Sequence, residues 1–254
     1  DVIVLPYNDI EKTKELLTQH SNEIACLIME PVISGLGYLP LEIKFLEFTR
    51  EITKELNIVL IYDEIQSYRL APGGAQELFN ITPDMTTLGK IIGGGLPVGA
   101  FGGKEDIMDL LNPSSKNYNL SHAGTFNGNP LTMEAGAVVM EELTDEKYEK
   151  MNTLGDDLRS KLNSIFNELE INAQITGIGS LFGINFNDNK IKDYRSFIKN
   201  DSLLTKILFM GSINNGILMQ TKNAGALNTL SSELEISKLE ESTRTIATEI
   251  KLNS

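Results

Sequence analysis

The sequence predicts an α/β chain, built on a mostly parallel sheet with flanking helices and followed by a small α+β part. Three observations predict it. Apolar runs such as "IACLIME" and "IVLIYDEI" alternate with stretches whose apolar residues recur at helical spacing. Strands separated by helices imply parallel pairing, with helices covering both faces of the sheet. From Pro130 onward the pattern turns to helical periodicity for about forty residues, too long for one uncapped helix of an ordinary domain.

In chain order, "VIVLPY" reads as a strand entering a turn, "DIEKTKELLTQH" as a helix and "IACLIMEPV" as a strand. After the glycine and proline turn "ISGLGYLP", residues 41–56 repeat the helical pattern, and "IVLIYDEI" returns to an apolar strand. "DMTTLGK" and "VGAFGG" read as two further short strands. The run from Pro130 is expected to form two helices, or one bent one, joining two domains, 1–150 and 151–254. Beyond it, "AQITGIGSLFGINF" alternates as strands do, and "SFIKNDSLLTKILFMGSINNG" reads as a helix with Gly216 near its cap. "ISKLEESTRTIATEIKL" closes the small α+β part as a last helix. Asp1 opens the chain in mid-pattern with no initiator Met before it, so the chain reads as a fragment or a processed chain.

The 254 residues, 41% of them hydrophobic, suffice for a real core. A net charge of −13 without a Lys or Arg cluster opposes nucleic acid as a partner. No apolar run approaches the length of a membrane helix and no secretion signal opens the chain, so a cytoplasmic protein is expected. The two histidines, His20 and His122, stand far apart without metal-ligand spacing around them, so no metal is expected. Cys26, alone among apolar neighbours, reads as a small core residue.

Asp63 and Lys90 are the residues in this frame that demand chemistry. A carboxylate closing a buried strand loses hydration, which is tolerated when a cation or several donors face it. The bland alternative is a turn or cap former for "EIQS". Lys90 sits in "GKIIGGG", where Ile91 replaces the Ser or Thr of a phosphate loop and the preceding glycine is missing, so that loop is rejected. A lysine desolvated among glycines can form a Schiff base, and glycines let a flat group approach the backbone. A buried aspartate is what a pyridinium nitrogen needs.

"LIYDEIQSYRLAPGGAQELFNITPDMTTLGKIIGGGLPVGAFGGKEDIMDLL" and "HAGTFNGNPLTMEAG" together resemble the class III, fold type I pyridoxal-phosphate aminotransferases. Within them the chain looks most like the glutamate-1-semialdehyde 2,1-aminomutases and the aminotransferases of β-amino acids. The resemblance is dense from Ile58 to Gly136 and thins afterwards. It implies the later part of a fold type I large domain, then a small carboxyl-terminal α+β domain. It further implies pyridoxal 5'-phosphate as cofactor, Lys90 as the Schiff-base lysine and proton shuttle, and Asp63 as partner of the pyridine nitrogen. Ile65 would pack on the ring and Gln66 would lie near its hydroxyl. Thr125 would reach the cofactor phosphate of a neighbouring subunit, with Gly124 giving backbone room, in a homodimer whose site is shared.

The substrate so implied is a small amino acid or amino aldehyde. Glutamate-1-semialdehyde aminomutation leads, transamination from a β- or ω-amino acid to a keto acid comes second, and a non-catalytic fragment of the fold is the third reading. Gly35 stands where many ω-aminotransferases place a Glu, which speaks against a dual-substrate switch of that type. "DEIQSYRLAPGG" is one residue shorter than the aminomutase pattern, and Arg69 within it can serve the loop's own structure. Near the carboxyl end Lys222 is present but no arginine fork that could clamp a carboxylate. Family members carry further amino-terminal strands, so an exposed apolar sheet surface is expected here.

Overall fold

The computed structural model describes residues 2–253; the expectation about Asp1 lies outside them. In chain order the elements are α1 (Ile10–Gln19), β1 (Cys26–Met29), β2 (Val32–Ile33), β3 (Leu39–Pro40), α2 (Ile43–Glu55), β4 (Val59–Asp63), α3 (Gly74–Leu78), β5 (Met85–Gly89), β6 (Gly99–Gly103) and α4 (Glu105–Met108). They continue with α5 (Pro130–Glu142), α6 (Asp145–Glu168), β7 (Gln174–Thr176), β8 (Leu181–Asn185), α7 (Tyr194–Phe197), α8 (Ser202–Asn214), β9 (Ala224–Ala226) and α9 (Glu233–Leu252). The chain divides into two compact units, one of residues 10–31 and 43–145, the other of residues 2–9, 32–42 and 146–253. Stretches 2–9 and 32–42 therefore belong with the carboxyl-terminal unit, which a single cut near residue 150 does not capture.

In the first unit the sheet order is β1-β4-β5-β6. β1, β4 and β5 are parallel, and β6 returns antiparallel to β5. One face is covered: Leu60 and Tyr62 are fully buried, and α2 contributes Phe45, Leu46 and Ile52 to the core. At the amino-terminal end of β5, Asp84 ties this layer together by accepting from the Leu60 N–H at 2.8 Å and pairing with Arg50 at 3.0 Å and Lys104 at 2.6 Å. Burial alone would push the Asp84 carboxyl up, but these donors outweigh it and hold it at about 2.

The other face corrects two expectations. Instead of helices on both sides, the described residues leave this side of the sheet open, with Ile28 56% and Phe101 40% exposed. Cys26 is exposed there too, not buried, because β1 is an edge strand and its side chain points to the uncovered face. The apolar surface matches what a sheet lacking part of its cover should present.

Helices α5 and α6 resolve the long periodic run into two. Asn129 caps α5 by accepting from the N–H groups of Leu131 at 3.0 Å and Thr132 at 3.3 Å, and Pro130 occupies its first turn.

In the second unit β7, β8 and β9 form an antiparallel sheet against α6, α8 and α9, with Leu158, Leu162, Phe166, Phe182, Ile184 and Ile246 in its core. The expected single helix over "SFIKNDSLL" is instead two, because Asp201 caps α8 afresh by accepting from Leu203 and Leu204 N–H groups. "VIVLPY" forms no strand and joins none of the sheets of the described residues. No helix among the described residues is long and apolar enough to cross a membrane.

Candidate functional site

The site is built on the open face at the carboxyl ends of β4 and β5. The register pairs Asp63 with Thr87, and Thr87 with Phe101. Side chains alternate along a strand, so these three form one row across the open face. One step further along, Gly89 pairs with Gly99, and two missing side chains leave a flat strip of backbone. A Cβ at Gly99 would meet nothing within 4 Å, whereas one at Gly89 would lie 3.6 Å from Ile65 Cγ1. Ile65 therefore borders the strip, and the structure brings together Asp63, Ile65 and the residue just before Lys90.

Asp63 is half-buried, and its Oδ1 accepts the Ile65 N–H at 3.1 Å, the turn-forming role that any aspartate can fill here. Oδ2 has no donor among the described residues, which leaves it available to a ligand. Lys90 follows β5 directly, at the same end of the sheet as Asp63; its side chain makes no ion pair among the described residues and is exposed rather than desolvated as its glycine-rich setting predicts. Its backbone lies at φ +49, in the left-handed region that costs a lysine about 1 kcal/mol. Such strain survives only where the surroundings impose it.

They do so through close packing. Gly94 and Gly95 follow at φ +59 and +91. A Cβ at Gly94 would fall 2.3 Å from the Ala135 carbonyl oxygen, and one at Gly136 would fall 2.2 Å from that of Ile92. Glycines at both positions let α5 lie directly on the turn that carries Lys90.

Gln66 is half-buried at the head of the turn Ser67–Leu70, which contains Arg69, and its side chain has no partner among the described residues. Gly124 and Thr125 lie in the exposed stretch before α5. This stretch reaches the open face through His122, whose ring meets Phe101 edge-on at 5.4 Å and whose Nε2 lies 3.3 Å from Asn127 Nδ2. A Cβ at Gly124 would lie 2.7 Å from Asn127 Oδ1. In the other unit Lys222 Nζ donates to the Gly35 carbonyl at 3.2 Å and lies 5.5 Å from the Phe197 ring centre.

Sequence reasoning missed Glu64, Thr87, Phe101 and His122. Glu64 is the fully buried carboxylate of the pair, on the covered face opposite Asp63. Burial pushes its carboxyl up, against the pull of donors from Ala75, Gln76 and Ser67. Thr87 Oγ1 is buried without a partner among the described residues. Strand alternation from Asp63 and Gly89 could have placed Thr87; nothing in the sequence could have placed His122.

The arrangement suits a flat pyridine ring: a level backbone floor, an apolar neighbour, a free acceptor and an unpaired amine at one end of the sheet. Residues 2–231 match the family model described as Aminotransferase class-III. The chain belongs to the class-III aminotransferase family. Among members of this family, the glutamate-1-semialdehyde 2,1-aminomutase of Methanothermobacter thermautotrophicus is 37% identical over 220 residues, covering 86% of this chain and 52% of that protein. The enzyme of the same name from Methanobrevibacter smithii is 47% identical over 184 residues, 72% of this chain and 43% of that protein. The chain thus spans about half the length of the curated relatives it matches. An omega-transaminase from Sphaerobacter thermophilus superposes with a TM-score of 0.93 at 36% identity, over 97% of this chain and 57% of its own. A beta-phenylalanine aminotransferase from Variovorax paradoxus gives 0.93 at 33% identity, with the same two coverages. The class-III aminotransferase fold expected from the sequence is the one these structures share.

Proposed function

We propose that the chain is the carboxyl-terminal portion of a cytoplasmic, pyridoxal-phosphate-dependent enzyme that moves an amino group. Its leading activity is the rearrangement of glutamate-1-semialdehyde. One observation carries the reading: a strained, unpaired Lys90 stands at the same sheet end as an Asp63 with a free carboxylate oxygen, beside a floor of Gly89 and Gly99. The curated relatives named as aminomutases support the substrate.

Pyridoxal phosphate, when bound, supplies the electron sink that allows an amino group to leave or join a carbon atom. The residues of the chain do the rest. Lys90 would hold the cofactor through its amine and would carry a proton at Nζ. Asp63 Oδ2 would accept from the ring nitrogen and keep it protonated. Ile65 would supply an apolar contact to the ring and Gln66 a polar one near its hydroxyl. Thr125 would help hold the phosphate bound by the neighbouring subunit of a homodimer, with Gly124 giving backbone room. Residues 10–31 and 43–145 belong to the cofactor-binding large domain, and the other unit forms the small domain.

Transamination of a β- or ω-amino acid is the second reading, favoured by the two transaminase structures and by the short "DEIQSYRLAPGG" loop. To test both, the protein as its gene encodes it is given glutamate-1-semialdehyde without a keto acid. Continued turnover is expected, and a halt after one half-reaction favours the transaminase. A visible cofactor band, lost in Lys90→Ala, is expected; its absence from the parent protein refutes the enzyme reading.

A further inference from the structure

Behind the sheet, on the face away from Asp63, lies a buried polar network that the proposed chemistry does not use. Glu64 Oε2 accepts from the Ser67 hydroxyl at 3.2 Å and from the Ala75 N–H. Its Oε1 accepts from the Gln76 N–H at 3.1 Å and from Gln76 Nε2 at 3.0 Å. Four donors face the lone pairs of the carboxylate, so its hydrogen-bonding capacity is filled. Gln76 Nε2 also donates to Thr86 Oγ1 at 3.1 Å, which carries the network from β4 to β5. Gly74, at φ +78, lets the start of α3 come this near; a Cβ there would fall 2.5 Å from Glu64 Oε2.

The position of this bridge gives it a consequence. The parallel ladder of β4 and β5 ends at Asp63 and Thr87, closed by the Glu64 N–H donating to the Thr87 carbonyl at 3.0 Å. The Glu64–Gln76–Thr86 bridge runs behind this last stretch of the ladder and adds a side-chain link where Tyr62 pairs with Thr86. Glu64 follows Asp63 directly, and Thr86 lies on the rigid strand that leads into Lys90.

We infer that Glu64, Gln76 and Thr86 form a staple on the covered face that sets the spacing between Asp63 and Lys90, making all three positioning residues for the cofactor. This rests on the function proposed above. Losing a supporting partner, or misplacing the supported group by about 1 Å, costs roughly tenfold to a hundredfold in affinity or rate.

The test uses the protein as its gene encodes it, with Thr86→Val, Thr86→Ser and Gln76→Leu. Three readouts are needed: pyridoxal-phosphate affinity, the pH midpoint of the cofactor's visible absorbance, and thermal stability. Thr86→Val nearly preserves volume, so it folds even if Gln76→Leu does not. It should weaken cofactor affinity by roughly tenfold and displace the pH midpoint. Thr86→Ser, which keeps the hydroxyl, should match the parent. Asp84→Asn, just before β5 and outside the Glu64 network, controls for lost stability and should leave the midpoint in place. If Thr86→Val lowers only thermal stability, as Asp84→Asn does, the staple is purely structural and the inference fails alone. A parent protein that binds no pyridoxal phosphate overturns the functional reading itself.

Discussion

Gly136→Ala probes how the Lys90 turn is held. The added methyl would sit 2.2 Å from the Ile92 carbonyl oxygen, where ordinary contact begins at 3.4 Å. Neither partner is a flexible side-chain tip. One is a backbone carbonyl in the turn, and the other is a helix whose first turn is pinned by Asn129 and Pro130. The helix and the turn must therefore separate by about 1 Å. Overpacking of this kind costs about 1 to 3 kcal/mol. For a protein of this size that lowers the melting temperature by roughly 2 to 4 °C per kcal/mol. The same shift moves Lys90, two residues from Ile92, and should reduce turnover by about a hundredfold. Gly102→Ala is the control, since a Cβ there meets nothing within 4 Å, and it should stay within about 0.5 kcal/mol of the parent. Calorimetry and steady-state rates measure both effects. A Gly136→Ala protein with parental melting and turnover would show that α5 does not shape the Lys90 turn.

Two further predictions follow from the same geometry. The Asp84 carboxyl is held at about 2 against an ordinary aspartate value of about 3.9. A depressed carboxylate stabilises the fold above its unfolded value and loses that contribution as pH falls through its folded one. Asp84→Asn should therefore cost up to about 2.5 kcal/mol at pH 7 and roughly half of that at pH 3. Urea midpoints read the difference, and a cost independent of pH contradicts the ion-pair account. At position 90, φ +49 penalises any residue with a Cβ, so Lys90→Gly should be about 1 kcal/mol more stable than Lys90→Ala while both lose activity. Equal stability of the two variants in chemical denaturation would mean the turn relaxes.

Read from the chain alone, the helical stretches over 10–19, 43–55 and 233–252 and the strands ending at Met29, Asp63 and Gly89 were legible because each buries a periodic face. The break of the long run into α5 and α6 was legible from its length, and Asp63 and Lys90 stood out because each conflicts with a bland environment. Short-range rules failed where a strand needs a partner elsewhere. "VIVLPY" has a strand's composition but joins no sheet of the described residues, and β9 at Ala224–Ala226 is in a sheet without the composition.

Sequence by itself determined the family, the parallel alternation and the acid–amine pair, since these depend on residue type and local spacing. Tertiary structure alone decided which carboxylate of "DE" faces the open side and which is sealed against Gln76 and Ser67. It alone exposed Cys26, aligned Asp63 with Thr87 and Phe101, and brought Gly136 down onto the Lys90 turn. The reason is physical: strand register and close approach between backbones are set by elements distant in the chain, and neither leaves a mark on the residues nearby.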